Sequence, residues 1–199
     1  VTLTVNRDTA PTADVAVTLT SSNEAEGRIR RGTNCDNAGT AGTGSCTLVF
    51  TPASWNSAQT VGVVGQNDFV ADGSISYSVF FSTPSSSSDT NYNGLTPASV
   101  ALSNSDNDMA GVTVSAISGN TTESGTTATF TVVLTSQPLS PVDTYYSSSN
   151  TGEGQIKQSL GLCATAGTAA ATACKLSFTS ANWSTPQTVT VKGVDDDVD

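Results

Sequence analysis

The sequence predicts an all-β fold made of tandem antiparallel β-sandwiches, and three observations lead to this prediction. The first is composition: threonine, valine, serine, asparagine and glycine are abundant among the 199 residues, whereas leucine, lysine, arginine, glutamate and methionine are scarce. Threonine and valine suit a pleated strand, and serine, asparagine and glycine suit turns. The second is a period-two alternation of apolar residues, and the third is an internal repeat.

Apolar residues alternate with polar ones in short segments, which are separated by clusters of glycine, asparagine, serine and proline. Such alternation places the apolar side chains on one face of a strand. The segments that share this pattern are Leu48/Phe50, Val61/Val63, Ile75/Tyr77/Val79/Phe81, Val112/Val114, Phe130/Val132/Leu134, Leu176/Phe178 and Val189/Val191. Short strands spaced by turns are typical of a sandwich or barrel, and we expect each module to be an Ig-like sandwich of roughly seven strands.

Two long segments match each other in register. Residues 46–65 read CTLVFTPASWNSAQTVGVVG and residues 174–193 read CKLSFTSANWSTPQTVTVKG, so cysteine, leucine, phenylalanine, tryptophan and Gln-Thr-Val recur 128 residues apart. Upstream, SSNEAEGRI at 21–29 matches SSNTGEGQI at 148–156. Self-similarity at a fixed interval indicates tandem modules, each close to 128 residues long.

The repeat divides the chain into two predicted modules, residues 1–108 and residues 109–199. Neither copy is expected to be complete within this sequence. GVTVSA at 111–116 is the opening strand of the second copy, and the first copy has no counterpart of it. The second copy lacks counterparts of SISYSVFFS at 74–82 and ASVALSN at 98–104. The polar segment SNSDNDMAG is the predicted linker.

The four cysteines occupy matching places in the two copies. Each pair encloses a loop of small residues, DNAGTAGTGS in one copy and ATAGTAAATA in the other. We expect the disulfides Cys35–Cys46 and Cys163–Cys174, because crossed pairs would require the modules to fold onto each other. The absence of histidine and of CxxC argues against zinc. Two structural disulfides indicate an oxidising, extracellular environment.

Acidic residues cluster in loops that follow predicted strands. GVDDDVD at 193–199 follows the second QTV strand, and GQNDFVADG at 65–73 occupies the same place in the first copy. Asp106 and Asp108 lie in the linker, and Glu123 lies in TTESG between two strands. Packed carboxylates repel one another unless a cation neutralises them, and calcium accepts roughly six to eight oxygens from irregular loops. Calcium is therefore favoured at the second-copy cluster, although a solvated acidic turn would have the same composition.

TTESG after a first strand, GVDDDVD after a QTVTV strand and SDND in the linker together resemble the Calx-β family. The resemblance is greatest to the Calx-β-like repeats of large bacterial surface proteins. NYNGL at 91–95 and WNSAQTV are similar as well. The resemblance covers nearly the whole chain and implies a calcium ion at one end of each sandwich, near the linker to the next module.

The resemblance also implies which side chains bind calcium: a glutamate after the first strand, the aspartate run and the linker carboxylates. Position by position, the second-copy set is Glu123, Asp195, Asp196, Asp197 and Asp199. The first-copy set is Asp68, Asp72, Asp106 and Asp108. The glutamate of the first copy would precede Val1. Glu26 and Glu153 fall near places where the family can hold another acid.

Charge and residue types argue against several classes of function. The formal net charge is −10 with only seven basic residues, which disfavours nucleic acid and anionic lipid as partners. Neither a stretch of about 20 apolar residues nor a signal peptide is recognised. Without histidine a Ser–His–Asp set cannot form, and no phosphate-binding glycine loop is present. The chain is therefore predicted not to be an enzyme.

The leading functional hypothesis is a calcium-stiffened stalk module of a large bacterial surface protein. Its partners would be neighbouring repeats, and other domains would bind a host or surface ligand. The alternative is a subunit of an extracellular filament in which identical chains supply missing strands. A carbohydrate-binding module would need exposed aromatics, for which Tyr92, Tyr145 and Tyr146 are candidates. Trp55 and Trp183 suit either a sugar platform or a plug in the core or at a sheet edge.

The predicted disulfides can be tested by proteolysis under non-reducing conditions followed by mass spectrometry. One cross-linked peptide should contain Cys35 and Cys46, and another should contain Cys163 and Cys174. Because each bridge closes a loop of about ten residues, replacing both cysteines of one pair by serine should lower the free energy of unfolding by roughly 2–3 kcal/mol. Peptides that link a cysteine of one copy to a cysteine of the other would contradict the pairing.

Overall fold

The computed structural model describes residues 2–5, 8–30, 44–85, 88–95, 97–157, 173–195 and 197. Over these residues the protein consists of antiparallel β-strands and one short 3₁₀ helix, so the all-β prediction is confirmed. The chain divides into two compact units. Unit 1 comprises Val1–Asp68 and Asp72–Asp106, and unit 2 comprises Phe69–Ala71 and Asn107–Asp199.

Unit 1 forms two antiparallel sheets, ordered β1-β5-β3 and β4-β2-β6-β7. Its strands are β1 (Thr2–Val5), β2 (Val15–Ser21), β3 (Gly27–Arg30), β4 (Ser45–Phe50), β5 (Gln59–Gly65), β6 (Ile75–Phe81) and β7 (Val100–Asn104). The 3₁₀ helix Thr90–Tyr92 lies between β6 and β7. The two sheets give unit 1 the arrangement of a β-sandwich.

The core of unit 1 lies between its two sheets, since the apolar face of each strand points inward. Leu48 and Phe50 of β4 are fully buried, as is Val61 from the opposite sheet. The period-two alternation predicted from the sequence is therefore an alternation of buried side chains with exposed ones in β4 and with mostly partly exposed ones in β5. The buried cluster consists of Leu19, Ile29, Cys46, Leu48, Phe50, Val61, Val63, Tyr77 and Val79.

Unit 2 also forms two antiparallel sheets from its described residues, ordered β11-β13-β9-β8 and β10-β12. The strands are β8 (Val112–Val114), β9 (Thr127–Leu134), β10 (Val142–Ser147), β11 (Gly154–Lys157), β12 (Ala173–Phe178) and β13 (Gln187–Gly193). Its buried cluster consists of Val132, Leu134, Ile156, Cys174, Leu176, Phe178 and Val189. The predicted strand at Val112 and Val114 is present, but both side chains remain about half exposed, at 49% and 52%.

A buried glutamine joins the two sheets in each unit. Gln59 begins β5, and its Nε2 donates to the carbonyl of Val49 on β4 at 2.7 Å. Gln187 begins β13, and its Nε2 donates to the carbonyl of Ser177 on β12 at 2.9 Å. The same bond thus occurs in both copies, although the Ig-like and Calx-β-like character of the fold stays a prediction.

Trp183 packs against the core of unit 2. Its ring centroid lies 5.7 Å from that of Phe69, and its carbonyl accepts a hydrogen bond from the backbone of Leu134 at 3.1 Å. Trp55 of unit 1 is partly buried. These contacts favour the interpretation of Trp183 as a plug in the fold over that of a sugar platform.

Cys46 and Cys174 are both buried, and neither is a free thiol. Their predicted partners, Cys35 and Cys163, lie outside the described residues. The two disulfide pairings therefore stay predictions.

Asp89 fastens two loops of unit 1. Its carboxylate accepts hydrogen bonds from the backbone of Thr12 at 2.7 Å and of Asn91 at 3.2 Å, and the residue is only 3% exposed. The bond from Thr12 lowers the pKa of Asp89 most, and the bond from Asn91 lowers it further against the opposing effect of burial. Beside this contact, the hydroxyl of Tyr92 donates to the carbonyl of Thr9 at 2.7 Å.

Asp89→Asn should lower the melting temperature of the protein at neutral pH by a few degrees, because the charged acceptor is lost. A depressed pKa in the folded state means that the carboxylate stabilises the fold above its unfolded-state pKa of about 3.9, and that this stability is lost as pH falls through the folded-state pKa. Thermal melting at several pH values should therefore show a difference between the two proteins that shrinks below about pH 4. A difference that does not change with pH would contradict this account.

Candidate metal centre

The antiparallel pairing of β3 with β5 decides which residues meet at one end of unit 1. Gly27, the first residue of β3, is paired with Gly65, the last residue of β5. The backbone N–H of Gln66 continues this pairing by donating to the carbonyl of Glu26 at 2.9 Å. The residue before β3 therefore lies beside the loop after β5, although the two are far apart in the sequence.

The loop formed by residues 66–74, here called the β5–β6 loop, is held at several points. The Asn67 side chain donates to the carbonyl of Asp68 at 2.8 Å. The backbone N–H of Gly73 donates to Oδ2 of Asp106 at 2.7 Å. Gly73 has a φ of 81°, a left-handed conformation in which a Cβ would be strained. The β5–β6 loop is thereby fastened to the segment that follows β7.

Three carboxylates of unit 1 converge at this loop. One oxygen from each of Glu26, Asp68 and Asp72 lies within 4.8 Å of the other two. Oxygens bound to one calcium ion at roughly 2.4 Å can be no more than about 4.8 Å apart, so the group fits a single ion of this size. Carboxylate oxygens in an irregular loop suit calcium, whereas zinc prefers nitrogen and sulfur ligands. We call these three residues the carboxylate group.

Asn104, the last residue of β7, links two segments of the site. Its Nδ2 donates to Oε2 of Glu26 at 3.1 Å and to the carbonyl of Gln66 at 2.7 Å. A Cβ at Gly65 would lie only 2.4 Å from Oδ1 of Asn104. Glycine at the end of β5 therefore leaves room for the amide that orients the Glu26 carboxylate.

Tyr77 of β6 lies near the same carboxylate. The ring packs over Gly27, where a Cβ would lie 2.2 Å from Cζ of the tyrosine. Burial raises the pKa of Tyr77, and the negative charge of Glu26 raises it further. The two side chains are thus coupled electrostatically as well as through the packing at the start of β3.

The corresponding end of unit 2 is built by the same backbone pairing. Gly154 of β11 is paired with Gly193 of β13, and the N–H of Val194 donates to the carbonyl of Glu153 at 3.0 Å. Glu153 therefore occupies the place in unit 2 that Glu26 has in unit 1.

The turn that contains Glu123 also reaches this end of unit 2. The backbone N–H of Gly193 donates to the carbonyl of Thr126 at 3.1 Å. A Cβ at Gly193 would lie 2.1 Å from the carbonyl oxygen of Thr122, so the turn lies directly against the end of β13. The glutamate turn and the start of the aspartate run are consequently neighbours.

The structure brings together part of the predicted first-copy set. Asp68 and Asp72 join the carboxylate group, and Asp106 binds the backbone of the same loop. Asp108 belongs to unit 2. Glu26, which is not in the predicted set, supplies the third carboxylate. The repeated Glu-Gly before a buried isoleucine in both copies is the sequence signal that points to it.

No second group of three converging carboxylates occurs among the described residues of unit 2. Glu123, Asp195 and Asp197 are exposed there. Asp196 and Asp199 lie outside the described residues. The second-copy set therefore stays a prediction.

No protein-family model matches the chain, and no curated protein matches it. In the part of the chain that the structure describes, no helix is long and apolar enough to cross a membrane. The function is accordingly inferred from the geometry of the site and from the internal repeat.

Glu26→Gln should lower the pKa of Tyr77, because the variant removes the negative charge that disfavours the tyrosinate while leaving the ring buried. Spectrophotometric titration of tyrosinate at alkaline pH measures this, with Tyr77→Phe identifying the contribution of Tyr77. Asp8→Asn is the matched control, since Asp8 is an exposed carboxylate of the same unit. An unchanged Tyr77 titration in Glu26→Gln would show that the two groups are not coupled.

Proposed function

We propose that this chain is a non-catalytic, extracellular structural module in which calcium stiffens the stalk of a large bacterial surface protein. One observation carries the proposal: Glu26, Asp68 and Asp72 present oxygens at separations that suit one calcium ion. The Calx-β-like sequence pattern supports the same conclusion, since it implies calcium at this end of the sandwich.

Calcium would act by offsetting a repulsion that the fold itself creates. The β3–β5 pairing fixes the position of Glu26, and the same pairing begins the loop that carries Asp68 and Asp72. Without a cation, three like charges close together favour an open loop. With a cation bound, the start of β3 and the β5–β6 loop share one ligand and are held together.

The end of unit 1 connects calcium binding to the stiffness of the proposed stalk. Asp106 is the last residue of this unit, and it is bound to Gly73, the neighbour of Asp72. An ion that orders the β5–β6 loop therefore also orders the residue from which the chain continues to Asn107. A stalk gains rigidity when the segment leaving each module has a fixed direction, because each repeat contacts only its neighbours.

Two further features agree with an extracellular array. The matching pairs of strands, the sheet-joining glutamines and the corresponding Glu153 recur in both units, which supports a repeated module. Neither Cys46 nor Cys174 is a free thiol, as expected in an oxidising compartment. Extracellular calcium modules typically bind with dissociation constants of about 10⁻⁴–10⁻³ M, which suits ambient calcium outside cells.

Calcium titration by calorimetry, together with thermal melting in calcium and in chelator, tests the proposal. We expect saturable binding that involves unit 1. Calcium at about 10 to 100 times the dissociation constant should raise the free energy of unfolding by roughly 1.4–2.7 kcal/mol. The double variant Asp68→Asn, Asp72→Asn should lose this binding, because it removes two of the three charges.

Asp8→Asn is again the matched control, and it should bind calcium like the unchanged protein. Magnesium at the same concentration should produce a smaller rise in melting temperature, because it demands near-octahedral geometry and retains its water. The proposal fails if calcium gives neither heat nor a thermal shift. It also fails if the double variant binds as well as the control.

A further inference from the structure

The basic residues of the chain are concentrated on one sheet of each unit. Five of the seven lie in the part of the chain that the structure describes: Arg28, Arg30, Lys157, Lys175 and Lys192. All of these except Lys175 belong to the equivalent sheets β1-β5-β3 and β11-β13-β9-β8. Lys175 lies on the other sheet of unit 2 and forms an ion pair with Asp143 at 2.7 Å.

In unit 1, two arginines lie on the outer face of this sheet. Ile29 is buried in the core, so its neighbours Arg28 and Arg30 lie on the opposite face of β3. Nε of Arg28 donates to the carbonyl of Glu24 at 3.2 Å, and neither arginine forms an ion pair with another described residue. Arg30 is paired with Gly62 of β5, which has no side chain to cover the guanidinium.

In unit 2, a lysine lies on the outer face of the equivalent sheet. Val189 of β13 is buried in the core, and the alternate residues Thr190 and Lys192 lie on the opposite face. Lys192 is paired with Gln155 on one side and with Thr127 on the other. It forms no ion pair with a described residue.

Protection of a sheet edge explains only some of these cations. Strands β3 and β11 are edge strands, and charged side chains on an edge discourage pairing with another chain. Arg30 of β3 and Lys157 of β11 are counterparts in the repeat, where EGRIR matches EGQIK. Lys192, however, lies on β13 between β11 and β9, so it protects no edge.

The rest of the outer face carries mainly small and hydroxyl-bearing side chains. The outward positions of β5, β9 and β13 are Thr60, Gly62, Val64, Thr127, Thr129, Thr131, Thr188 and Thr190. Although the chain has 17 acidic residues, no strand of these two sheets contains one. The face therefore combines positive charge with hydroxyl groups in an otherwise acidic protein.

We propose that this outer face binds, in each unit, an acidic polysaccharide whose charge is carried by uronate carboxylates. Guanidinium and ammonium groups pair with carboxylates, and threonine hydroxyls exchange hydrogen bonds with sugar hydroxyls. Binding of this kind does not involve the carboxylate group of unit 1, so it is independent of calcium.

The spacing of the charges favours this class of polymer over nucleic acid. The net charge of −10 repels a polymer as densely charged as DNA, which carries one negative charge per roughly 1.7 Å. A uronate polymer has at most one carboxylate per sugar and is repelled less. Its sparse charges suit Arg28 and Arg30, which are two strand residues and therefore roughly 6.6 Å apart.

Titration of the full chain with an oligogalacturonate, followed by backbone amide chemical shifts, tests the proposal. A chelator is present throughout, so that calcium cannot bridge carboxylates of the sugar and of the protein. We expect saturable shifts at Arg28, Arg30 and Gly62 in unit 1 and at Thr190 and Lys192 in unit 2. Raising the ionic strength from about 0.01 M to about 1 M should abolish them, because the screening length falls from roughly 30 Å to roughly 3 Å.

Single substitutions separate the two units. Arg30→Gln should weaken binding to unit 1 by about 1.5-fold to fivefold, the range that one exposed charge pair contributes, and should leave unit 2 unchanged. Lys192→Gln should have the converse effect. Lys175→Gln is the matched control, since it removes the same charge from the other sheet, and it should change neither site. The melting temperature of each variant shows that it is folded.

The methyl ester of the same oligomer keeps the sugars but removes their charge, and it should give much smaller shifts. Equal shifts with the ester would overturn the proposal, as would the absence of saturable shifts at this face in both units. An equal loss of binding in Lys175→Gln and Arg30→Gln would show that only the total charge matters. Self-association of the chain without sugar, lost in Arg30→Gln, would assign the face to a second copy instead.

Discussion

The pairing of β3 with β5 is the constraint on which the site and much of unit 1 depend. Because Gly27 is opposite Gly65, the residue before one strand lies beside the loop after the other. That placement puts the Glu26 carboxylate next to the loop bearing Asp68 and Asp72. The apolar faces of the same strands fill the core, so the burial that stabilises the sandwich also sets the position of the carboxylates.

The corresponding strand pairing occurs in the second copy as well. Gly154 and Gly193 are paired in unit 2, and Val194 donates to Glu153 as Gln66 donates to Glu26. The recurrence of a backbone hydrogen bond and of a sheet-joining glutamine means that two different sequences form the same hydrogen bonds at the same points of the fold. Glutamine at 59 and 187 and glutamate at 26 and 153 are identical in the two copies at places where these hydrogen bonds form.

Much of the fold could be predicted from the sequence, because the signal for a half-buried strand is local. Leu48 with Phe50 and Leu176 with Phe178 are buried on one face, as their spacing predicts. The same spacing at Val112 and Val114 gives a strand whose side chains stay about half exposed, since a period-two pattern identifies a face but not what covers it.

The site could be predicted only in part. Asp68 and Asp72 are visible as a cluster because they lie in one loop. Glu26 joins them through a pairing between strands that are distant in the sequence, so the signal that points to it is the repeat of Glu-Gly before isoleucine and not a pattern near Asp68 and Asp72. Asp106 illustrates a different limit: its residue type suggests a ligand, whereas its carboxylate accepts a hydrogen bond from the backbone of Gly73.

Amide chemical shifts recorded during a calcium titration provide the most direct test of the central claim, that the β3–β5 pairing creates a calcium site in unit 1. The account predicts saturable shifts concentrated at Glu26, at residues 66–73 and at Asn104, where the carboxylate group and its hydrogen-bond partners lie. Weak, non-saturating shifts spread over exposed carboxylates throughout the chain would contradict it, because they would show only general attraction between calcium and an acidic protein.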